Sequence, residues 1–384
     1  MPAKKVLIIS YSFLPNVSGV ADVVHEYGKQ MLETHFAESV TVVAHRGNDL
    51  LASETIDGVA VRRFRAPALL GGRIPFPGKE FFDLLNTIIS TDKPDQIHVH
   101  TRFSMTTLFG VLVAKRYRIP VIEFEHLSSF VSGESWFVNT ASWLWDQTIS
   151  RLTFALADRV VCVSQSTRKF VCMQLGSDLR KTFVVENGCN IAPLRESFDD
   201  RFENTIDKPV IFFAARFVPL KNPLLTLETM RLLDRRGVDF TVLMAGSGKL
   251  DSEIKDFVYK NQLDSKIKLL GRLSHYQIQE YLQCSHIFMN ISQLEGLPGG
   301  VMEAVLSNNL CLVSNVGGNN DVVTVPELLV DKQNMNFQDM ADRLEYIINH
   351  LKEISHNAQQ DKDRLTQNTW TNSMKKLAQV LNVL

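Results

Sequence analysis

Ser292-Gln-Leu-Glu295-Gly-Leu-Pro-Gly-Gly300-Val-Met-Glu303-Ala-Val305 sets two carboxylates around a Gly/Pro-rich turn that runs into an amphipathic helix. The apolar run Ile287 to Ile291 precedes it and predicts a buried strand. The unit therefore reads strand, tight loop, helix. In an open α/β sheet such a loop lies at the carboxyl end of a strand, where ligands bind. Gly299 and Gly300 carry no side chain to block the backbone, so the N–H groups of the helix start can approach an anion such as a diphosphate. Carboxylates on either side of that cradle can accept hydrogen bonds from sugar hydroxyls. A ligand that is part phosphate and part polyol is implied, and a nucleotide sugar fits that description.

The spacing, with Gly296 to Met302 between the two acids, resembles the Glu-x7-Glu element of the retaining family-four glycosyltransferases of the GT-B fold. The resemblance implies that Glu295 holds the transferred sugar and Glu303 the nucleotide ribose. Taken alone, the motif also fits a helix-dipole acid beside a solvated loop acid, and the rest of the chain has to decide between them.

With 384 residues the chain is long enough for two ordinary domains. An apolar fraction of 45% describes a globular protein with sizeable cores. The net charge of −1 gives no whole-molecule argument for nucleic acid. No apolar run approaches the ~20 residues that span a bilayer. The opening Met1-Pro-Ala-Lys-Lys leads into Val6–Ser10, an apolar stretch too short for a signal peptide. The five cysteines are scattered without metal-ligand spacing and read as small core residues. The expectation is a cytosolic protein with no structural metal.

Short apolar runs alternate with helical patterns throughout. Strands are expected at Val6–Ser10, Val40–Ala44, Val59–Phe64, Ile97–His100, Val121–Phe124, Val160–Val163 and Phe183–Val185, with helices between them, one of them the aromatic segment Trp136–Ala157. The alternation restarts after Asn187-Gly188, with strands at Val210–Ala214, Phe240–Ala245, Ile267–Leu270, Ile287–Ile291 and Cys311–Ser314. Near-continuous apolar strands in βαβα order argue for parallel sheets covered on both faces. Two such series predict an α/β protein of two Rossmann-like domains, 1–190 and 191–365, with Ala192–Lys208 as the linker. Phe337–Leu351 reads as a helix, followed by a polar charged stretch. The family resemblance implies that the last helix, within 366–384, returns to the N-terminal domain, and that the two domains face each other across a cleft.

Ala214-Ala-Arg216-Phe-Val-Pro-Leu-Lys221-Asn places two cations after the first strand of the second half. Arg offers a bidentate fork and Lys a point charge, both suited to a diphosphate, and the pair resembles the family's diphosphate clamp. Gly246-Ser-Gly248 follows a strand in the same way, as a tight turn or as part of a nucleotide pocket. In Leu270-Gly271-Arg272-Leu273, Arg272 stands where the family holds the base. Pro15-Asn-Val-Ser18-Gly19-Val20 resembles the family's N-terminal glycine loop. Only Gly19 carries over, because Ser18 stands where a second glycine is usual; Ser18 is also a fit helix cap. His126 matches the family position that hydrogen-bonds the donor sugar, although Leu127 replaces the usual glycine. His98 and His100 share a face but lack a third ligand for zinc. Glu123 and Glu125 share one face of the next strand, as acceptor contacts or as exposed edge acids. Val313-Ser-Asn-Val-Gly317-Gly318 resembles the Gly-Gly loop that follows the carboxylate motif.

These resemblances together imply transfer of a sugar, from a UDP-sugar in expectation, to a glycan or lipid-linked glycan with retention of configuration and no metal. Arg216, Lys221, Glu295 and His126 would serve the chemistry; Gly19, Gly246, Gly248, Arg272, Gly299, Gly300 and Glu303 would hold the nucleotide sugar. Two other readings are a non-hydrolysing nucleotide-sugar epimerase and a non-catalytic nucleotide-sugar binder. A Rossmann dehydrogenase is disfavoured, since the first βα turn lacks Gly-x-Gly-x-x-Gly. Cations alternating with apolar groups over 65–79, and the aromatic residues Phe130, Trp136, Phe137, Trp143 and Trp145, suit a membrane surface as well as a loop beside a buried aromatic helix. The first of these implies a cytoplasmic protein peripheral to the inner face of the membrane.

Overall fold

A computed structural model describes residues 4–15, 19–47, 50–66, 68–69, 74–131, 136–189 and 208–381. The expected linker 192–208 lies almost wholly outside them. The chain divides into two compact units, one of Met1–Gly188 with Trp370–Leu384, the other of Cys189–Thr369.

The first unit is built on strands β1 (Lys4–Ile9), β2 (Ala37–His45), β3 (Ser53–Ile56), β4 (Val59–Phe64), a short ribbon of β5 (Ala68–Leu69) and β6 (Ile74–Pro75), then β7 (Gln96–His100), β8 (Val121–Glu125), β9 (Arg159–Cys162) and β10 (Thr182–Val184). The main sheet runs β10-β9-β8-β7-β1-β2-β4-β3. Its pairs are parallel except β3 with β4. That hairpin turns on Asp57-Gly58, both at positive φ, an Asp-Gly signal for a type I′ turn. Polar Ser53-Glu54-Thr55 hides β3 from a search for apolar runs.

The aromatic segment is not one helix. Trp136–Trp145 and Arg151–Leu156 are joined by a π-turn, Asp146–Ser150. Both Asp146 and Ser150 are buried there, which periodicity at 3.6 residues cannot anticipate, because a π-turn inserts an extra residue into the helical phase.

In the second unit β11 (Val210–Ala214), β12 (Thr241–Ala245), β13 (Ile267–Gly271), β14 (Ile287–Asn290), β15 (Leu310–Ser314) and β16 (Leu329–Val330) form an all-parallel sheet ordered β13-β12-β11-β14-β15-β16. The polar charged stretch after the helix Phe337–Asn349 is a second helix, Leu351–Leu365. Ile354, Ala358 and Leu365 bury its apolar side, and Asp361 accepts from the Thr324 N–H at 2.8 Å and hydroxyl at 2.7 Å. A buried acid on the apolar stripe makes the segment read as more polar than it packs.

The final helix, Trp370–Leu381, belongs to the first unit. Trp370, Met374, Leu377 and Leu381 join the cluster that holds Val24, Tyr27 and Met31. Gly188 makes this approach possible, for a Cβ there would lie 2.3 Å from the Trp370 nitrogen. Gly188→Ala should therefore lower stability by about 1–3 kcal/mol through overpacking. Gly78→Ala, whose Cβ meets nothing within 4 Å, should stay within about 0.5 kcal/mol. Thermal melts of the two variants check this, and equal midpoints would refute it.

Candidate functional site

Strand order in the second unit reverses at β11. From there β12 and β13 extend one way, while β14 starts the other side. A crevice opens at such a switch point beyond the carboxyl ends of the two strands. The loops that leave β11 and β14 are those carrying Arg216, Lys221 and Glu295.

They are stitched together. Lys221 Nζ donates to Glu295 Oε1 at 2.5 Å, with both side chains largely buried. Asn222 Nδ2 donates to Ile291 O at 2.9 Å and Gln293 N to Leu220 O at 2.9 Å. Gln293 Nε2 also donates to Asn222 Oδ1 at 3.1 Å. Asn222 caps the helix Pro223–Arg235 in the left-handed region at φ 48, a conformation Asn tolerates better than most residues. Arg216 is exposed and forms no ion pair with a described residue. One cation is thus held by an acid, and its neighbour stands open to solvent.

The helix Gly299–Leu306 begins at Pro298 without a side-chain cap. Gly299 and Gly300 are exposed, a Cβ on Gly299 would meet nothing within 4 Å, and neither amide has a described partner. These N–H groups supply an uncommitted anion-binding end. One turn on, the Glu303 carboxyl is mostly buried, 3.8 Å from His275 Nε2. Burial pushes its pKa up, against the opposing pull of His275. A carboxyl held so is short of hydrogen-bond donors, and ligand hydroxyls would supply them. Sequence reading missed His275. Its only signal is the capping box Ser274-x-x-Gln277 that starts its helix.

Gly246 and Gly248 pack loops together. A Cβ on Gly246, at φ 148, would lie 1.9 Å from Ala215 O, and one on Gly248 would lie 2.4 Å from Phe217 O. Their amides are already committed, to Gly271 O at 2.8 Å and to Asp251 Oδ1 at 2.7 Å. Gly318 likewise lets the loop after β15 reach the carboxylate loop, since a Cβ there would lie 2.1 Å from Gly296 O. Arg272 is exposed just past β13.

In the first unit the switch point falls between β1 and β7. Gly19 is exposed at the start of the helix Gly19–Glu33, and a Cβ there would meet nothing within 4 Å; Ser18 lies outside the described residues. His126 is buried just after β8, with its Nε2 3.1 Å from His100 Nδ1. Glu123 and Glu125 are not edge acids. They lie fully buried on an interior strand. Glu125 pairs with Arg102 Nη1 at 2.6 Å and accepts the amides of Arg102 and Leu127 at 2.9 and 2.8 Å. Asp146 takes Arg102 Nε at 2.8 Å. Arg102 also donates to Ser129 O at 2.8 Å, so this network pins the His126 loop to the π-turn. Glu123 meets Thr153 Oγ1 at 3.1 Å, and burial, then the Glu125 charge, pushes its pKa well up. Sequence reading missed Arg102 and Asp146, which are separated along the chain and join only in three dimensions.

Burial lowers His126 to about 4 and, with Lys4, His98 to about 3; His100 is also held well below its ordinary value by burial and the other two rings. These rings stay neutral in the fold but charge near pH 6.5 when unfolded. Unfolding then takes up protons, so stability falls as pH drops from about 6.5 toward 4, and the His126 contribution levels off below that. His126→Gln should flatten the slope by up to about 1.4 kcal/mol per pH unit. Urea midpoints across this window test it, an unchanged slope being the contrary result.

Residues 196–362 match the family described as glycosyl transferases group 1, and 17–192 match glycosyltransferase family 4. A phosphatidylinositol N-acetylglucosaminyltransferase component of Arabidopsis thaliana is 23% identical over 86% of this chain and 70% of its own length. The UDP-Gal:alpha-D-GlcNAc-diphosphoundecaprenol alpha-1,3-galactosyltransferase of Escherichia coli is 25% identical over 69% of each chain. The crystal structure of Anabaena HepE in complex with UDP superposes with a TM-score of 0.73 at 16% identity, covering 99% of this chain and 100% of that one. That likeness is one of fold, two parallel-sheet α/β units of the GT-B kind.

Proposed function

Because the chain belongs to the glycosyltransferases of group 1 and family 4, we propose that it moves a sugar from a UDP-sugar to a glycan or lipid-linked glycan with retention of configuration. The observation that carries this reading is the switch point of the second unit. There the Lys221–Glu295 pair, the unpaired Arg216 and the free Gly299 and Gly300 amides meet the needs of a diphosphate beside a polyol. Arg216 and Lys221 stabilise the charge that develops on the departing diphosphate, a term that grows toward the transition state. Glu295, already bound to Lys221, ties the sugar hydroxyls to the same cation. Glu303 takes the ribose hydroxyls. In the first unit, His126 is buried just after β8, and Gly19 leaves the backbone accessible at the start of its helix. Gly246 and Gly248 shape the pocket wall, and Arg272 lies toward the base.

The bond from the anomeric carbon to the diphosphate oxygen breaks as the acceptor oxygen bonds to the same face. The acceptor proton passes to the leaving phosphate oxygen, and no step calls for a metal. The galactosyltransferase relative, whose name gives a diphosphoundecaprenol acceptor, supports a lipid-linked acceptor.

A thermal-shift panel of nucleotide sugars identifies the donor, since a ligand of the folded state raises the midpoint. Arg216→Ala and Lys221→Ala should each lower kcat/KM by about 2–4 kcal/mol of transition-state stabilisation. Wild-type turnover in both would refute the diphosphate assignment. Donor incubated without acceptor separates an epimerase, which would turn it over alone.

Calorimetry with UDP separates the two acids. Glu303→Ala should weaken UDP binding, whereas Glu295→Ala should leave it nearly intact while impairing transfer. Equal losses would merge their roles.

A further inference from the structure

The helix Trp136–Trp145 is exposed along almost its whole length, with Ser142 its only buried residue. At 100° per residue, Trp143, Trp136, Thr140, Leu144, Phe137 and Ala141 form one continuous outward face. Trp136 is 78% exposed, Phe137 68% and Leu144 55%. Globular surfaces seldom leave such a patch without a partner. Its one hydroxyl needs no water, because the Thr140 side chain donates to Trp136 O at 3.0 Å. Further along, Thr148 turns its hydroxyl onto Leu144 O at 2.7 Å in the same way.

Charge is sorted around this face. The π-turn and Arg151–Leu156 continue the segment and pack against the helices Met105–Tyr117 and Gln165–Leu175. Together the three helical segments hold Lys115, Arg116, Arg151, Arg168 and Lys169 and a single acid, Asp146; Lys115 is paired with Asp158 just beyond them, at 2.6 Å, which leaves Arg116, Arg151, Arg168 and Lys169 to carry the positive charge. That acid is fully buried and paired with Arg102. A chain of net charge −1 thus presents a side with cations and no exposed acid on these helices. Exposed Leu112, Leu152 and Met173 extend its apolar content. Within the stretch 65–79, which the sequence also suggested for such a surface, residues 67 and 70–73 lie outside the described residues.

We propose that this face docks on an anionic lipid bilayer, with Trp136, Phe137, Trp143 and Leu144 entering the headgroup boundary and the surrounding cations meeting acidic headgroups. Aromatic and aliphatic groups on one side of a helix, flanked by Arg and Lys, match the two forces that hold a protein in the interface plane. A second copy of the chain fits less well, because pairing this face with itself would bring like charges together. The proposal goes beyond sugar transfer and is read with no nucleotide sugar present, so a failure of the transferase reading and a failure of docking are separate results.

The test is co-sedimentation of the full chain with vesicles of phosphatidylcholine alone and of phosphatidylcholine mixed with phosphatidylglycerol. Wild type should bind the mixed vesicles and be released as salt screens the cations. Trp136→Ser with Phe137→Ser should weaken binding by more than about tenfold, from the apolar burial lost, with an unchanged melting temperature. Lys169→Gln should weaken it by about fivefold, the ratio given by ~1 kcal/mol per cation near an anionic surface. Wild type that stays in solution with mixed vesicles would overturn the proposal. So would a double variant that binds as tightly as wild type, or light scattering that shows a dimer broken by the double variant while vesicle binding stays unchanged.

Discussion

A parallel sheet that grows outward in both directions from one strand leaves a gap where the two directions part, and each unit is organised by that constraint. The strand order of the second unit puts the loops after β11 and β14 side by side. Lys221 and Glu295 then bridge them, although 74 positions separate the two in sequence. Once they are joined, Arg216 has no acid left to pair with among the described residues. The helix start at Gly299 is left open for a local reason, since its N-cap is Pro298, whose side chain has no acceptor.

The architecture was legible because the strands are buried on both faces and so read as unbroken apolar runs. Where a strand is polar, as in β3, or a helix buries an acid, as at Asp361, the periodicity argument loses its signal. The π-turn escaped for a related reason. Asp146 and Ser150 are buried by an extra residue in the helical turn, and no 3.6-residue pattern contains one.

Legibility at the candidate site followed chain distance. Arg216, Lys221, Glu295 and Glu303 lie in two short phrases, and their place just after two strands was readable from the apolar runs that precede them. What stayed hidden were the partners. Nothing local says that Lys221 meets Glu295, that His275 stands 3.8 Å from Glu303, or that Gly246 exists to clear Ala215 O. Glu123 and Glu125 failed in the opposite sense. Acids alternating along a strand suggest an exposed edge, yet β8 is interior, and Arg102 arrives from the end of β7 to compensate Glu125.

That compensation bears on both faces of the first unit. A buried Arg between two carboxylates contributes little net stability compared with apolar packing, but removing any member leaves a charge stranded. Its value is geometric. Through Glu125 it holds the Leu127 amide, through Ser129 O the loop after His126, and through Asp146 the π-turn from which the exposed aromatic helix extends backward. The Trp145 indole donates to the Arg102 backbone carbonyl at 3.2 Å, fixing the inner end of that helix to the same residue. The polar core of the sheet and the apolar outer helix therefore share one anchor, so the loop carrying His126 and the surface carrying Trp136 are held in register by a single residue.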